Sequence, residues 1–285
     1  MKLLRVGPVG GERPALLDQD GTLRDLSALI TDVDGALLAD DSVLSRVREA
    51  ARSGDLPVLG AEGLRVGAPV GRVGKIVGIG LNYHGHAAEV GADTPAEPIL
   101  FLKAPDTVVG PDDTVLIPRG SVKTDWEAEL GVVIGSTARY LGSAAEGLAH
   151  VGGYLLVNDV SEREFQIERG GTWDKGKNCE TFTPLGPWLV TADEIPDPQV
   201  LDVKLWVNGE LKQDGNTSDQ IFPVGEVVRY LSQFMTLYPG DVIVTGTPAG
   251  VAMGQPEPKP FLRAGDVVEL EIEKLGRQRQ EFKSA

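Results

Sequence analysis

Two glutamates one residue apart, Glu127 and Glu129, lie in a run of strand-forming residues, 125–134. Because side chains alternate along a strand, both carboxylates are expected on one side, where like charges repel unless a positive charge lies between them. Asp159 falls in a second apolar run, residues 154–160, and is predicted to be buried. Three carboxylates on apolar strands form an oxygen-only ligand set, which favours magnesium, manganese or calcium over zinc.

A second interpretation of Glu127 and Glu129 needs no metal. The two side chains could line the polar face of a half-solvated strand, because most glutamates in folded proteins are exposed. The strand by itself does not decide between these interpretations, and the motifs elsewhere in the chain favour the metal site.

The histidines are candidate acid–base groups. His86 follows a predicted strand, and Glu89 lies one helical turn beyond it, where a carboxylate can hydrogen-bond the imidazole and fix its tautomer. Such a pair could take a proton from water, or it could be a surface histidine beside a surface glutamate. A zinc site of His84 and His86 is disfavoured because no cysteine or third histidine stands nearby. His150 ends a predicted helix, 144–150, and is expected to cap it or lie at the surface.

Polar residues in several loops allow both a functional and a structural interpretation. The turn at 245–248, Thr-Gly-Thr-Pro, offers hydroxyls and a backbone amide that could hold a carboxylate, but it is also an ordinary strand exit. Lys177, Arg163 and Gln166 could likewise be solvated loop residues. No Walker loop, Gly-x-Ser-x-Gly elbow or His-Glu-x-x-His motif occurs, which disfavours nucleotide enzymes and serine hydrolases.

The composition limits the partners. The 285-residue chain carries 42 acidic and 27 basic residues, a net charge of −15, which argues against binding to nucleic acid or anionic membranes. An acidic protein binds a small anionic substrate only through a local positive centre, such as a metal ion with nearby lysines and arginines. The sequence contains no apolar run of about eighteen residues, no recognisable signal peptide at its start and a single cysteine, Cys179. We therefore expect a cytoplasmic protein without an internal disulfide.

The elements that must position these residues are mostly strands. Residues 1–70 are predicted to form a small α+β domain, with residues 60–74 as a glycine-rich linker to a larger domain, 71–285. Helices are few and do not alternate with strands, so a doubly wound parallel sheet is unexpected and a strand-rich α+β fold is predicted. The predicted strands are 3–6, 15–17, 75–80, 203–207, 241–244 and 266–272, with hairpin turns at 20–21 and 208–209. Besides 144–150, the predicted helices are 42–51, 86–90 and 225–234, the last with Val227, Val228, Leu231 and Phe234 facing inward.

Taken together, the motifs resemble those of the fumarylacetoacetate hydrolase family over about residues 72–282. The matches occur in order along the chain: Gly80-Leu81-Asn82-Tyr83 with His86 and Glu89; Glu97-Pro98 with Phe101-Leu102-Lys103; Asp125-Trp126-Glu127-Ala128-Glu129-Leu130; Gly153-Tyr154 with Asn158-Asp159-Val160-Ser161; Gly176-Lys177; Val207-Asn208-Gly209-Glu210; Pro239-Gly240-Asp241; and Thr245-Gly246-Thr247-Pro248.

This resemblance implies an α+β, mainly β fold, a mixed β-sandwich roll that forms a homodimer and binds Mg²⁺ or Mn²⁺. It assigns the metal ligands to Glu127, Glu129 and Asp159. The general base falls on His86 with Glu89, in a lid that orders on substrate binding, and the active-site lysine on Lys177. The substrate contacts fall on Asn82, Tyr83, Lys103, Arg163, Gln166 and Thr247.

The run at 166–177 looks most like the branch acting on 2,4-diketo-3-deoxy sugar acids. The expected reaction is hydrolysis of a carbon–carbon bond in an acylpyruvate, giving pyruvate and a carboxylic acid. Asn178, Glu180 and Ala252 depart from that branch, which leaves the substrate open. Oxaloacetate decarboxylation, isomerisation and decarboxylation of an unsaturated dicarboxylate, or a non-catalytic metal-stabilised protein are the alternatives.

Overall fold

The computed structural model describes residues 1–60 and 63–285, and the described residues form eighteen strands and six α-helices. The strands are β1 (Lys2–Val6), β2 (Arg13–Leu17), β3 (Leu23–Asp25), β4 (Ile76–Gly80), β5 (Ile99–Lys103), β6 (Val108–Val109), β7 (Val115–Ile117), β8 (Thr124–Asp125), β9 (Ala128–Ile134), β10 (Val151–Asn158), β11 (Ser161–Glu162), β12 (Thr183–Pro184), β13 (Leu189–Thr191), β14 (Asp202–Val207), β15 (Glu210–Asn216), β16 (Val242–Val244), β17 (Val267–Ile272) and β18 (Gly276–Ser284). The α-helices are α1 (Gly35–Leu38), α2 (Asp41–Ser53), α3 (His84–Glu89), α4 (Ala144–Ala149), α5 (Asp174–Lys177) and α6 (Val224–Leu231). A π-helical turn spans Glu164–Glu168.

Two mixed sheets form the frame of the molecule. The larger has nine strands in the order β3-β2-β1-β13-β10-β9-β16-β4-β5, and the smaller has five in the order β15-β14-β17-β18-β7. Most neighbours are antiparallel, but β16 pairs with β4 and β18 with β7 in parallel. Strands β9 and β10 pack against β14 and β17 of the other sheet. The predicted α+β, mainly β class and the mixed sandwich are confirmed.

The centre of the large sheet is covered on both faces, and alternate residues of β9 enter different cores. Val132 packs with Leu205 and Leu270 in the core between the sheets. Its neighbour Val133 joins a second core with Val47 of α2 on the opposite face. A strand buried on both faces reads as a continuous apolar run, which explains why every residue of β9 is buried.

The N-terminal segment extends the large sheet. Strand β1 pairs with β13 as well as with β2, and helix α2 packs its buried Leu44 and Val47 into the second core. Helix α2 begins after Asp40, whose carboxylate accepts two backbone N–H groups, and ends at Gly54 in a left-handed conformation. The predicted boundary near residue 70 stays a prediction.

The predicted linker, 60–74, packs against this segment where it is described. Val66 pairs with Val6, and Val70 is buried. Ala61 and Glu62 of the predicted linker lie outside the described residues.

Two predictions about elements were wrong in detail. The expected strand over 125–134 divides into β8 and β9 at Trp126 and Glu127. Phe234 is 62 % exposed because α6 ends at Leu231, which places Phe234 beyond the predicted apolar stripe. The hairpin of β14 and β15 is confirmed, with Asn208 and Gly209 both at positive φ as its two-residue turn requires.

None of the described helices combines the length and the apolar character needed to span a membrane.

Candidate active site

The register of β9 and β10 brings the three predicted metal ligands together. Glu129 is paired with Val157, and the next residue pair of the same face would be Glu127 with Asp159. The backbone N–H of Asp159 donates to the carbonyl of Glu127 at 2.9 Å, so the ladder continues past the end of both strands. Directly opposed residues of an antiparallel pair share a face. Oxygen atoms of Glu127, Glu129 and Asp159 therefore lie within 4.8 Å of one another.

Buried cations neutralise part of this carboxylate cluster. Lys177 Nζ lies 2.6 Å from Glu127 Oε2 and 2.6 Å from Asp159 Oδ2. Lys103 Nζ lies 2.5 Å from Asp159 Oδ1, and Arg163 Nη2 lies 2.7 Å from Glu127 Oε1. All five side chains are almost fully buried. Charge pairing at this depth is needed because an isolated buried charge is very costly.

Glu129 is the carboxylate without a cationic partner among the described residues. Its Oε2 accepts the backbone N–H of Gly246 at 2.7 Å. Burial, with the nearby charges of Asp159 and Glu127, raises the pKa of Glu129 well above its ordinary value. Burial also opposes ionisation of Glu127, but Lys177 and Arg163 outweigh it and hold the pKa of Glu127 well below the usual range.

The two lysines of the cluster respond differently to burial. Burial opposes the charge of Lys177, but Asp159 and Glu127 overcome that cost, so the pKa of Lys177 is raised. For Lys103 burial dominates over the attraction of Asp159, and the pKa of Lys103 is lowered. Of the two lysines, Lys177 is accordingly the one held more firmly in its charged form.

The three carboxylates fit a divalent cation. Their donor set is oxygen only, and hard dications bind oxygen at about 2.0–2.6 Å, so one ion can reach atoms separated by less than 4.8 Å. A positive charge there would also supply the partner that Glu129 lacks. Among residues 1–60 and 63–285, no other group of three or more His, Cys, Asp or Glu side chains meets this spacing.

Helix α5 places Lys177 through a close approach at Gly176. A Cβ at Gly176 would lie 2.4 Å from the carbonyl oxygen of Glu162 and 2.5 Å from Gln166 Cβ. Only glycine allows the helix to pack this closely against β11 and the π-helical turn. The ammonium group of Lys177 also lies 5.0 Å from the ring centre of Phe101, a favourable contact for a cation.

The predicted His–Glu pair is formed on α3. His86 Nδ1 lies 2.9 Å from Glu89 Oε1, and His86 is 5 % exposed, so it is not a surface histidine. Both carboxylate oxygens of Glu89 also accept the backbone N–H of Gly250, at 3.1 and 2.9 Å. His84 on the same helix is exposed, and His150 caps α4 with Nδ1 2.8 Å from the hydroxyl of Ser136.

A cleft of about 480 Å³ joins the pair to the carboxylates. Its wall includes His86, Glu89, Glu127, Glu129, Arg163, Gln166, Lys177, Thr247, Trp173, Val90, Ile167, Met253 and Lys259. Cavities of this size commonly hold small-molecule ligands. The His86–Glu89 pair, the candidate cation site and a space large enough for a small substrate therefore share one cleft.

Comparison with known proteins identifies the family. Residues 75–283 match the family model described as fumarylacetoacetate (FAA) hydrolase C-terminal. The chain belongs to the fumarylacetoacetate hydrolase family. A protein of Burkholderia ambifaria named "Putative hydrolase" is 55 % identical over 285 residues, covering 100 % of both chains.

Solved structures of the family agree with this fold. The maleylpyruvate hydrolase of Sphingobium sp. SYK-6, in complex with manganese(II) and pyruvate, is 30 % identical with a TM-score of 0.82 and covers 100 % of both chains. The 2-hydroxyhepta-2,4-diene-1,7-dioate isomerase of Mycobacterium marinum is 32 % identical with a TM-score of 0.74, covering 100 % of this chain and 98 % of that one. Members similar to this chain thus include both a hydrolase and an isomerase.

Three residues that the family resemblance assigned to substrate lie outside the wall of the cleft. Lys103 is 2 % exposed and contacts Asp159 without lining the cleft itself. Asn82 is fully buried, and its amide bonds the backbone of Phe222 and Thr245. Tyr83 is fully buried, with its hydroxyl 3.4 Å from Gln220 Nε2, and burial raises its pKa strongly. In this structure all three support neighbouring groups.

Thr247 does face the cleft, but its hydroxyl is already engaged. The hydroxyl donates to the carbonyl of Ala128 at 2.9 Å and accepts from Gln213 Nε2 at 2.7 Å. Gln166 lies beside Arg163 and accepts from its Nη1 at 3.0 Å, and within the described part of the chain its amide NH₂ has no hydrogen-bond acceptor.

Sequence reasoning missed Asp125, Gln213 and Gly250. Asp125 holds Arg163 Nε at 2.8 Å and accepts the backbone N–H groups of Ala252 and Met253 at 2.7 and 3.0 Å. Gln213 links β15 to Thr247 and to Ala128 of β9. The sequence signal for Asp125 was a charged side chain in a strand predicted to be buried. Gly250 acts through its backbone N–H, which leaves no signal in the sequence.

Proposed function

We propose that this protein catalyses the divalent-metal-dependent hydrolysis of a carbon–carbon bond in a 2,4-diketo acid. The substrate is an acylpyruvate or a 2,4-diketo-3-deoxy sugar acid, and the products are pyruvate and a carboxylic acid. The supporting observation is that His86, oriented by Glu89, lines the same cleft as the carboxylates Glu127 and Glu129.

His86 acts as the base on water. Because Nδ1 faces Glu89, the second ring nitrogen, Nε2, is the one available to take a proton. The resulting hydroxide attacks the 4-keto carbon, the bond between carbons 3 and 4 breaks, and its electron pair becomes the enolate of pyruvate. The proton taken by His86 balances the later protonation of carbon 3.

Glu127, Glu129 and Asp159 hold the cation, Mg²⁺ or Mn²⁺. When bound, such a cation would act as a Lewis acid and stabilise negative charge on the oxygens of the pyruvate half. Lys177 and Arg163 add fixed positive charge at the same end of the cleft, and Gln166 offers its amide NH₂ to a substrate oxygen.

The second candidate uses the same carboxylates without an activated water. Decarboxylation of oxaloacetate, or isomerisation of an unsaturated dicarboxylate, needs charge stabilisation on the keto acid but no attack by water. The likeness to the isomerase of Mycobacterium marinum supports it. A non-catalytic metal-stabilised protein gives the His86–Glu89 pair no role.

The test compares the wild type and His86→Ala with Mg²⁺ or Mn²⁺ on a panel of acylpyruvates, diketo sugar acids, oxaloacetate and unsaturated dicarboxylates. Pyruvate release measures hydrolysis and oxaloacetate decarboxylation, and the change in ultraviolet absorbance measures isomerisation of the unsaturated dicarboxylates. Hydrolysis of a diketo acid that collapses in the variant supports the proposal. Decarboxylation of oxaloacetate that is retained by His86→Ala, or isomerisation of an unsaturated dicarboxylate without hydrolysis of any diketo acid, would show that the second candidate is correct.

The proposal also covers the location, the oligomeric state and the partners of the enzyme. We infer a cytoplasmic homodimer that acts on small anionic keto acids and has neither nucleic acid nor membrane as a partner. The net charge of −15 supports the exclusion of polyanions. Gel filtration with light scattering measures the oligomeric state directly.

A further inference from the structure

One cation in the wall of the cleft differs from the others in its partners. Lys177 and Arg163 are each held by buried carboxylates. Lys259 also lines the cleft, half-buried, but within the described part of the chain its ammonium contacts no carboxylate. Its positive charge is therefore not neutralised by the cleft itself.

Backbone carbonyls hold Lys259 in place without cancelling its charge. Its Nζ donates to the carbonyl oxygen of Met253 and to that of Gln255, the latter at 3.2 Å. An ammonium group has three donors and a carbonyl carries no formal charge. One donor and the full positive charge remain for a ligand in the cleft.

The loop that carries Lys259 packs on the His86–Glu89 pair. Gly250 donates its backbone N–H to Glu89, and a Cβ at Gly254 would lie 2.4 Å from Glu89 Oε2. Lys259 Nζ is bonded to Met253 and Gln255, the residues on either side of Gly254, so Lys259 lies beside the part of the loop that contacts Glu89. Lys177 and Arg163 are bonded to Glu127 instead. In the proposed hydrolysis the water activated by His86 attacks the 4-keto carbon, the first atom of the acyl half, so the acyl half lies toward His86 and Lys259.

We propose that Lys259 determines specificity by pairing with an anionic group at the far end of the acyl half. The preferred substrates are then diketo acids that carry a second carboxylate. Val90 and Met253 line the cleft with Lys259 and provide apolar contact for the carbon chain between the two ends. This inference rests on the proposed hydrolase activity for the direction of the substrate.

A matched pair of substrates tests the inference. Two acylpyruvates with the same acyl chain, one ending in a carboxylate and the other in the isosteric primary amide, are compared with the metal-saturated enzyme. Because a charge-assisted hydrogen bond is stronger than a neutral one, kcat/KM of the wild type is expected to favour the carboxylate by roughly 10-fold or more. In Lys259→Met this preference should fall to about one, mainly through a higher KM for the carboxylate.

Companion variants separate charge from loop packing. Lys259→Arg keeps the charge and should retain a preference for the carboxylate. Lys259→Gln keeps a donor for the carbonyls of Met253 and Gln255 but removes the charge, so it should lose the preference even if Lys259→Met folds poorly. Lys283→Met removes a half-exposed lysine on β18, outside the cleft, and should keep the wild-type ratio.

Failure of this inference is distinguishable from failure of the proposed function. If the wild type hydrolyses both substrates equally, or if Lys259→Gln slows both by the same factor, the function stands and the role of Lys259 is wrong. If neither is hydrolysed, calorimetry with inert 2-oxo acids that differ only in a terminal carboxylate or amide gives the answer. If the wild type binds the carboxylate more tightly than the amide and Lys259→Gln does not, the role of Lys259 is upheld although the proposed reaction is not. Equal binding of the two ligands by the wild type overturns the inference.

Discussion

The orientation of a single imidazole decides which proton this site can move. Glu89 accepts from Nδ1 of His86 and is itself fixed by the backbone of Gly250, so the carboxylate has little freedom to turn away. Such support from a neighbouring carboxylate fixes the tautomer and leaves the other ring nitrogen, Nε2, to accept a proton. Glu89 is thus a positioning residue that acts through His86.

Replacement of His86 should separate catalysis from metal binding. His86→Ala is expected to lower hydrolysis by about 10²–10⁴-fold, the usual contribution of a positioned general base. Calorimetric titration should give an unchanged affinity for Mg²⁺ or Mn²⁺, because the carboxylates are untouched. His84→Ala, an exposed change on the same helix, is the control and should retain activity. Unchanged turnover in His86→Ala would contradict the assignment of the base.

Replacement of Glu129 should weaken metal binding without lowering the stability of the metal-free protein. Glu129→Gln keeps an acceptor for the Gly246 N–H but removes a buried negative charge that lies beside two others. We expect metal affinity to fall by about 10-fold or more, because a charged ligand is lost. In the presence of a chelator the variant should melt no lower than the wild type. A clear loss of metal-free stability would show that a positive group pairs with the Glu129 carboxylate in the absence of metal.

At the scale of elements, the site is produced by the ends of strands rather than by their middles. Strand β9 begins at Ala128 and β10 ends at Asn158, yet the backbone stays paired just beyond them, where the N–H of Asp159 donates to the carbonyl of Glu127. The side chain of Asn158 accepts the N–H of Glu127 at 3.2 Å. The two carboxylates therefore lie on backbone that remains hydrogen-bonded while it leaves the regular sheet.

The packing of α5 is testable at Gly176. In Gly176→Ala the new methyl group meets backbone at Glu162, so α5 must shift and Lys177 must move with it. Overpacking of this kind should lower the free energy of unfolding by about 1–3 kcal/mol and reduce activity. Denaturant unfolding and pyruvate release measure the two effects. In Gly60→Ala no atom of residues 1–58 or 63–285 lies within 4 Å of the new carbon, so this variant serves as the control, with little change expected in either.

For the molecule as a whole, ion pairs help to join the N-terminal segment to the rest. Arg65 Nη1 lies 2.9 Å from Glu12 Oε1, and Arg65 Nε lies 2.8 Å from Asp113 Oδ1. Burial opposes ionisation of both acids, but their hydrogen bonds and the charge of Arg65 prevail, and the pKa values of Glu12 and Asp113 are lowered. The cluster thus links Glu12, between β1 and β2 of the large sheet, to Asp113, just before β7 of the smaller sheet.

Low pH should weaken the ion pairs of Arg65 with Glu12 and Asp113. A carboxyl whose pKa is lower in the folded state contributes stability above its unfolded pKa, near 4, and loses it as the pH falls through the lowered value. Arg65→Met should therefore destabilise the protein by about 1–2 kcal/mol at pH 7, and the difference from the wild type should shrink below about pH 4. Chemical denaturation across this pH range measures it. A difference that is constant with pH would mean that Arg65 stabilises by packing alone.

The sequence alone determined the residue types of the site and most of its elements. Glu127, Glu129 and Asp159 stand out because charges are costly in apolar strands, and the His86–Glu89 spacing specifies a contact within one helical turn. These are local signals, since strand alternation and helix periodicity act over a few residues. The same locality explains why β14 and β15, with their two-residue turn, were predictable and the extent of α6 was less so.

Only the tertiary structure decided which groups meet. The register of β9 with β10 brings Asp159 beside Glu127, and Asp125 and Gln213 act on partners far along the chain. The burial of Lys103 behind Asp159, and the approach of the Gly250 loop to Glu89, likewise join segments that are distant in sequence. Periodicity and propensity describe each segment by itself, whereas such contacts depend on how the sheets pack, which no single segment encodes.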